Sequence, residues 1–169
     1  MNLRLTKEQY AWVGVRLALG WTLFWAFLDK LFGLGYSTAS SHSWLNGGSP
    51  TEGYLKSAAS GPLSDFYNSL SGNHVVDALF MLALVSVGLA VLLGVGTRIS
   101  GYAGALLMVL LYSTNPPYWA SKSTNPLVDE HAIFFILFLA MTVVKPGKWI
   151  GLGEWWRNTK LVKRFPILE

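Results

Sequence analysis

The run NPLVDEHAIFFILFLAM, residues 125–141, sets Asp129, Glu130 and His131 directly against an unbroken series of aliphatic and aromatic side chains. Charges so placed often mark the wetted edge of a soluble helix, but the rest of the chain is too apolar for that reading. Of its 169 residues, 52% are hydrophobic and 13% charged, and the mean hydropathy is +0.39. A soluble domain of this size carries about a quarter charged residues. The run therefore reads as the end of a membrane span with an acidic patch at its mouth.

Windows of about 20 residues, the length that crosses ~30 Å of hydrocarbon, pick out four such segments: residues 10–32, 75–95, 99–119 and 127–144. In the third, STNPPYW (113–119) roughens the end, and in the fourth VDEH (128–131) roughens the start. The first is too long and too aromatic for a cleaved leader, the alternative there. The expected fold is an all-α membrane protein, a four-transmembrane-helix bundle forming a single domain over 1–169. A loop at 33–74 would carry short helices as a lid, and a tail at 149–165 would form an interfacial helix. Eight Trp and no Cys leave no thiol chemistry, disulfide, Cys-held zinc or Cys-ligated iron–sulfur cluster.

With four spans both termini share a side, and the basic residues sort accordingly. Arg4, Lys7, Arg98, Lys145, Lys148, Arg157, Lys160, Lys163 and Arg164 fall on the terminal side; Lys30, Lys56 and Lys122 fall on the other, and Arg16 is within the first span. The positive-inside rule then puts both termini on the cytoplasmic side; a prokaryotic plasma membrane is the expected location. Asp29, Glu52, Asp65, Asp77, Asp129 and Glu130 make the opposite face net acidic. This sorting, unlike a phosphate footprint, gives no reason to expect nucleic acid.

In the loop, SPTE (49–52) reads as a capping box opening a short helix through GYLKSAAS, which Gly61-Pro62 breaks before a second turn at LSDFYNSL (63–70). In the tail, KWIGLGEWWRNTKLVKRFP (148–166) mixes Trp and Leu with Lys and Arg. That is the composition of a helix lying on anionic headgroups.

Candidate site residues begin with Arg16. It lies six residues beyond Tyr10, and an intramembrane Arg is costly enough to mark a site unless it snorkels to the headgroups. Arg16, Gly20, Leu23, Phe27 and Lys30 follow helical spacing and form one stripe, with Asp29 pointing elsewhere. The stripe reads as a cleft wall with a cation at each end. Since no acid lies at Arg16's depth, a ligand oxygen or a backbone carbonyl must be its partner. Asn115, His74, Asp77 and the 125–131 run meet the same outer level. Two readings stand there. Asn125, Asp129 and Glu130 can serve simply as cap and dipole partners; or one acid pairs with Lys30 or a polar group on another helix and joins His131 in proton transfer. A haem held by His74 and His131 is not expected. Ser86, Ala90 and Gly94, Gly101 and Ala105, and Gly14 and Ala18 form small-residue faces for helix packing, within the bundle or with a second copy.

RLALGWTLFWAFLDKLFG (16–33), WLNGGSPTEGYLKSAASGP (44–62), NPLVDEHAIFFILFLAM and GLGEWW…LVKRFP (151–166) together resemble the DoxX/DoxD family of small membrane proteins. The resemblance implies a membrane subunit of a quinone-linked oxidoreductase, of the thiosulfate:quinone oxidoreductase kind, beside a second oxidoreductase subunit. It implies quinone as cofactor, with Arg16, Lys30, Gly20 and Asn115 around it and Asp129, Glu130 and His131 handling protons; no metal ligands are implied. A membrane scaffold and a carrier for lipid or small molecules are the alternatives.

Overall fold

The computed structural model describes residues 5–120 and 123–169, and these hold helices, turns and loops with no strand among them. The first helix, α1 (Lys7–Phe32), is opened by a capping box in which Thr6 and Gln9 each accept the other's backbone amide. It stops at Gly33, whose φ of 68° lets its amide return to the Asp29 carbonyl. Two short helices, α2 (Glu52–Ser57) and α3 (Ser64–Ser69), fill the loop. Then come α4 (His74–Leu93), capped by Asn73, α5 (Thr97–Thr114) and α6 (Glu130–Val144), capped by Asp129. In the tail are α7 (Gly153–Arg157) and α8 (Lys160–Arg164).

Two helices, α1 and α4, are long and apolar enough to cross a membrane. The other two long helices fall short of that standard: α5 carries Arg98, Ser100, Gly101, Gly104 and Ser113 within 18 residues, and α6 is apolar but only 15 residues long. Both are shorter than the sequence windows, for local reasons. Pro116 and Pro117 have no amide to donate and force Asn115 out of helical geometry (φ −139°, ψ 70°). The Asn125 side chain turns the chain early, accepting the Leu127 and Val128 amides, so α6 starts at Glu130.

The long helices alternate in direction and share one core of Leu19, Leu23, Met81, Leu84, Met108, Phe138 and Met141. Glycines set the approaches. A Cβ on Gly20 would stand 2.7 Å from the Leu92 nitrogen, and one on Gly88 would stand 2.8 Å from the Phe24 nitrogen, so α1 and α4 touch backbone to backbone. The α5–α6 contact is similar, with the Phe138 ring filling the space over Gly104. Two of the expected packing faces are not used this way: Gly14 has open space around it and Ser86 is exposed.

The tail differs from expectation. Instead of one interfacial helix over 149–165, two five-residue helices and a turn at Pro166–Leu168 fold back over one end of the bundle. Gly151, at φ 130°, permits the first reversal, and Thr159 caps α8 by accepting the Val162 amide. The Leu152 amide donates to the Leu93 carbonyl at 2.8 Å and the Trp156 indole donates to the Leu168 carbonyl at 2.7 Å. Glu169 closes the cap on Lys145 (2.8 Å) and Lys148 (2.9 Å). Hydrogen bonds from these two ammonium groups draw its carboxyl down to about 2. The end under this cap is the tail end; the other, under residues 33–74, is the loop end.

Candidate functional site

Arg16 is 1% exposed and lies at the tail end. Its Nη1 donates to the carbonyls of Val91 (2.9 Å) and Leu92 (2.8 Å), and Nη2 donates to Ile150 (2.9 Å). The partners are thus backbone carbonyls, one of the two classes the sequence allows. They include carbonyls of the last turn of α4, which carry the negative end of its dipole; that of Val91 also accepts the Gly94 amide at 3.1 Å. Gly94 and Gly151 make room: a Cβ on either would stand 2.6 or 3.3 Å from Nη1. The guanidinium is a latch joining α1, α4 and the tail. It neither snorkels nor presents Nη1 or Nη2 to a cleft.

Gly20 lies against Leu92. Asn115 is at the far end of α5, an 18-residue helix that rises about 27 Å. Lys30, half-buried near the loop end, has no ion pair or hydrogen bond among the described residues. Arg16, Gly20, Lys30 and Asn115 therefore do not converge on one ligand. A quinone bound by all of them does not fit.

At the loop end the structure does gather candidates. Asn115 and Asp129 line one cleft of about 590 Å³ together with Ser57, Ser60, Trp119 and Ser123. The Ser60 hydroxyl donates to Asn115 Oδ1 at 2.8 Å, and its amide donates to the Thr114 carbonyl at 3.0 Å, which ties the end of α2 to the end of α5. Gly61, at φ 76°, lets the chain pass against the Trp119 indole, 2.8 Å from a notional Cβ. Asp129 Oδ1 accepts the Ala132 amide at 3.0 Å and caps α6, while Oδ2 meets His131 Nδ1 at 2.7 Å. Nearby on α2 the Tyr54 hydroxyl donates to the Leu111 carbonyl at 3.3 Å. Burial, and after it the charges of Asp129 and Glu130, push that hydroxyl up to about 12.

The expected pair between Lys30 and an acid of the 125–131 run is not formed. The close cap geometry gives Asp129 to Ala132 and His131, while Glu130 is exposed and unbonded among the described residues. Lys122 lies outside the described residues.

Two buried acids do structural work. Asp29 accepts from Tyr36 and Ser37 and folds the chain back after α1. Asp77 Oδ1 accepts from the hydroxyls of Ser49 (2.9 Å) and Thr51 (2.6 Å) and from the Thr51 amide (3.1 Å), while Oδ2 is buried without a partner. Ser49 keeps half of the expected capping box by accepting the Glu52 amide; Glu52 turns instead to Lys56. Trp119 and Ser60 are cleft residues the sequence did not single out, since nothing local distinguishes them from other loop residues.

Among the described residues no group of three His, Cys, Asp or Glu is placed to hold a metal ion. Comparison with known proteins finds no matching family model, no matching curated protein and no matching solved structure.

Proposed function

We propose that the chain is a four-span protein of a prokaryotic plasma membrane and the membrane subunit of a DoxX/DoxD-like oxidoreductase. In this reading α1, α4, α5 and α6 all cross, both termini are cytoplasmic, and the cleft at the loop end opens outward. The charge sorting between the two ends supports the orientation. Thinning of the bilayer around short α6 accommodates its length at modest cost.

The observation that carries the reading is Asp129, which lines the cleft and holds His131 at 2.7 Å. A carboxylate that orients an imidazole is the arrangement of a proton acceptor. It suits a reductant that loses a proton as it is oxidised. A thiol fits this better than thiosulfate, which at neutral pH has no proton to give. Two thiols and one membrane quinone would give a disulfide and a quinol: the dyad takes the two thiol protons one at a time and returns them to water, the second subunit passes the two electrons to the quinone, and the quinol takes up two protons. Asn115, Ser57 and Ser60 orient the substrate by hydrogen bonds.

The test is thiol-dependent oxygen uptake by membranes from cells producing the chain. The reading expects uptake above that of control membranes, lost on Asp129→Asn. No stimulation, with a soluble oxidoreductase co-purifying at full activity of its own, would favour the scaffold.

A further inference from the structure

The tail cap leaves a particular surface uncovered. Of its charged groups, Glu169 is paired with Lys145 and Lys148, and Glu154 with Arg157. Lys160, Lys163 and Arg164 have no acidic partner among the described residues and are exposed. On α8 Val162 is 3% exposed and points into the protein. At 100° per residue Lys160 and Arg164 occupy the opposite side, Lys163 lies on one flank and Leu161 on the other, and Phe165 follows directly after the helix; Leu161 and Phe165 are 49% and 48% exposed. An apolar shoulder beside a basic ridge is the profile of a segment lying in a lipid interface. Its height agrees, since the Leu152 amide bonds the Leu93 carbonyl and so hangs the cap on the end of membrane-length α4.

We infer that this face is a docking surface for anionic phospholipid, with Lys160, Lys163 and Arg164 on the headgroup phosphates and Leu161 and Phe165 in the acyl boundary. The inference rests on the membrane reading above and is independent of any chemistry in the cleft. Because the same tail bonds α4 and, through Glu169, the Arg98 amide, lipid bound here stabilises the helix ends as well as the tail.

The test uses the full chain in neutral detergent, with thermal unfolding followed during titration with short-chain phosphatidylglycerol, phosphatidylcholine or inorganic phosphate at matched ionic strength. Phosphatidylglycerol should stabilise at concentrations at least tenfold below phosphatidylcholine. Replacing Lys160, Lys163 and Arg164 together by Gln should weaken that effect roughly 100-fold, from the contribution of each basic residue near an anionic surface. Leu161→Ser with Phe165→Ser should weaken the response to both lipids. Equal responses of the native chain to the two lipids, or an unchanged response in the Gln variant, would overturn the assignment. Stabilisation by inorganic phosphate alone would replace the lipid surface with a free-anion site. A loss of cleft activity with lipid selectivity intact would count against the proposed reaction and leave this surface standing.

Discussion

Asp129 Oδ2 and His131 Nδ1 are 2.7 Å apart at the first turn of α6, while the other oxygen of the same carboxylate caps the helix. Asn caps as well as Asp does, so Asp129→Asn separates the two tasks. The change should leave thermal stability within about 1 kcal/mol and lower thiol oxidation by at least ~100-fold, the usual contribution of a general base. Glu130→Gln, at an exposed residue whose side chain has no hydrogen bond among the described residues, should alter both by little. Equal activity losses in the two variants would argue for a general effect of charge over a proton acceptor at Asp129.

Arg16→Leu removes the donors of three backbone carbonyls at the tail end. The Val91 carbonyl keeps the Gly94 amide, and each acceptor left without a partner costs about 1–3 kcal/mol, so with Leu92 and Ile150 orphaned, unfolding in detergent should register a loss of at least ~2 kcal/mol. Gly94→Ala should destabilise too, because its φ of 72° is left-handed and the new methyl meets Nη1. A tolerated Arg16→Leu would mean that the guanidinium resides among headgroups.

Asp77 gathers Ser49 and Thr51 onto the start of α4. Its removal in Asp77→Ala should free 49–57, with amide exchange there at least tenfold faster and exchange in the middle of α4 unchanged. Uniform acceleration across the bundle would instead make Asp77 part of the global core.

Glu169 titrates at about 2 in the folded chain against an ordinary 4.5. Its contribution is therefore complete above about pH 4.5, declines as the pH falls through 4 and 3, and is nearly gone at 2. Glu169→Gln should melt lower than the wild type at pH 7, by about 1 kcal/mol for a partly exposed pair of ion contacts, and the two should converge at pH 2. A constant gap would show that the acid acts through packing rather than charge.

The positions of the long helices were legible because apolar runs and caps are local. The stop of α1 at Phe32 and the start of α4 at His74 fall within a residue of the apolar windows, whereas α1 begins at Lys7, three residues before its window, because the Thr6 cap lies outside the apolar run. The stop of α5 and the start of α6 were misplaced by five and three residues, because apolar windows ran through the Pro116-Pro117 break and the Asn125 turn. Arg16 stood out as an intramembrane cation, and the lack of an acid at its depth narrowed its partner to a ligand oxygen or a backbone carbonyl without choosing between them. Its carbonyl partners were not legible, since Ile150 is 134 residues away and reaches it only through the folded tail. Likewise the Lys30 pair failed because local geometry, set within three residues, gave Asp129 to Ala132 and His131. The cleft depends on the contact of 57–61 with 115–119, which no periodicity encodes.

The central claim is that the Asp129 cleft and the basic tail cap lie on opposite sides of a membrane. Single cysteines at two exposed positions of this cysteine-free chain, Ser57→Cys at the cleft and Asn158→Cys in the tail, test it through labelling of intact cells with a membrane-impermeant maleimide. The account predicts that Ser57→Cys reacts at once and that Asn158→Cys reacts only after permeabilisation. Labelling of both in intact cells, or of Asn158→Cys alone, would contradict it.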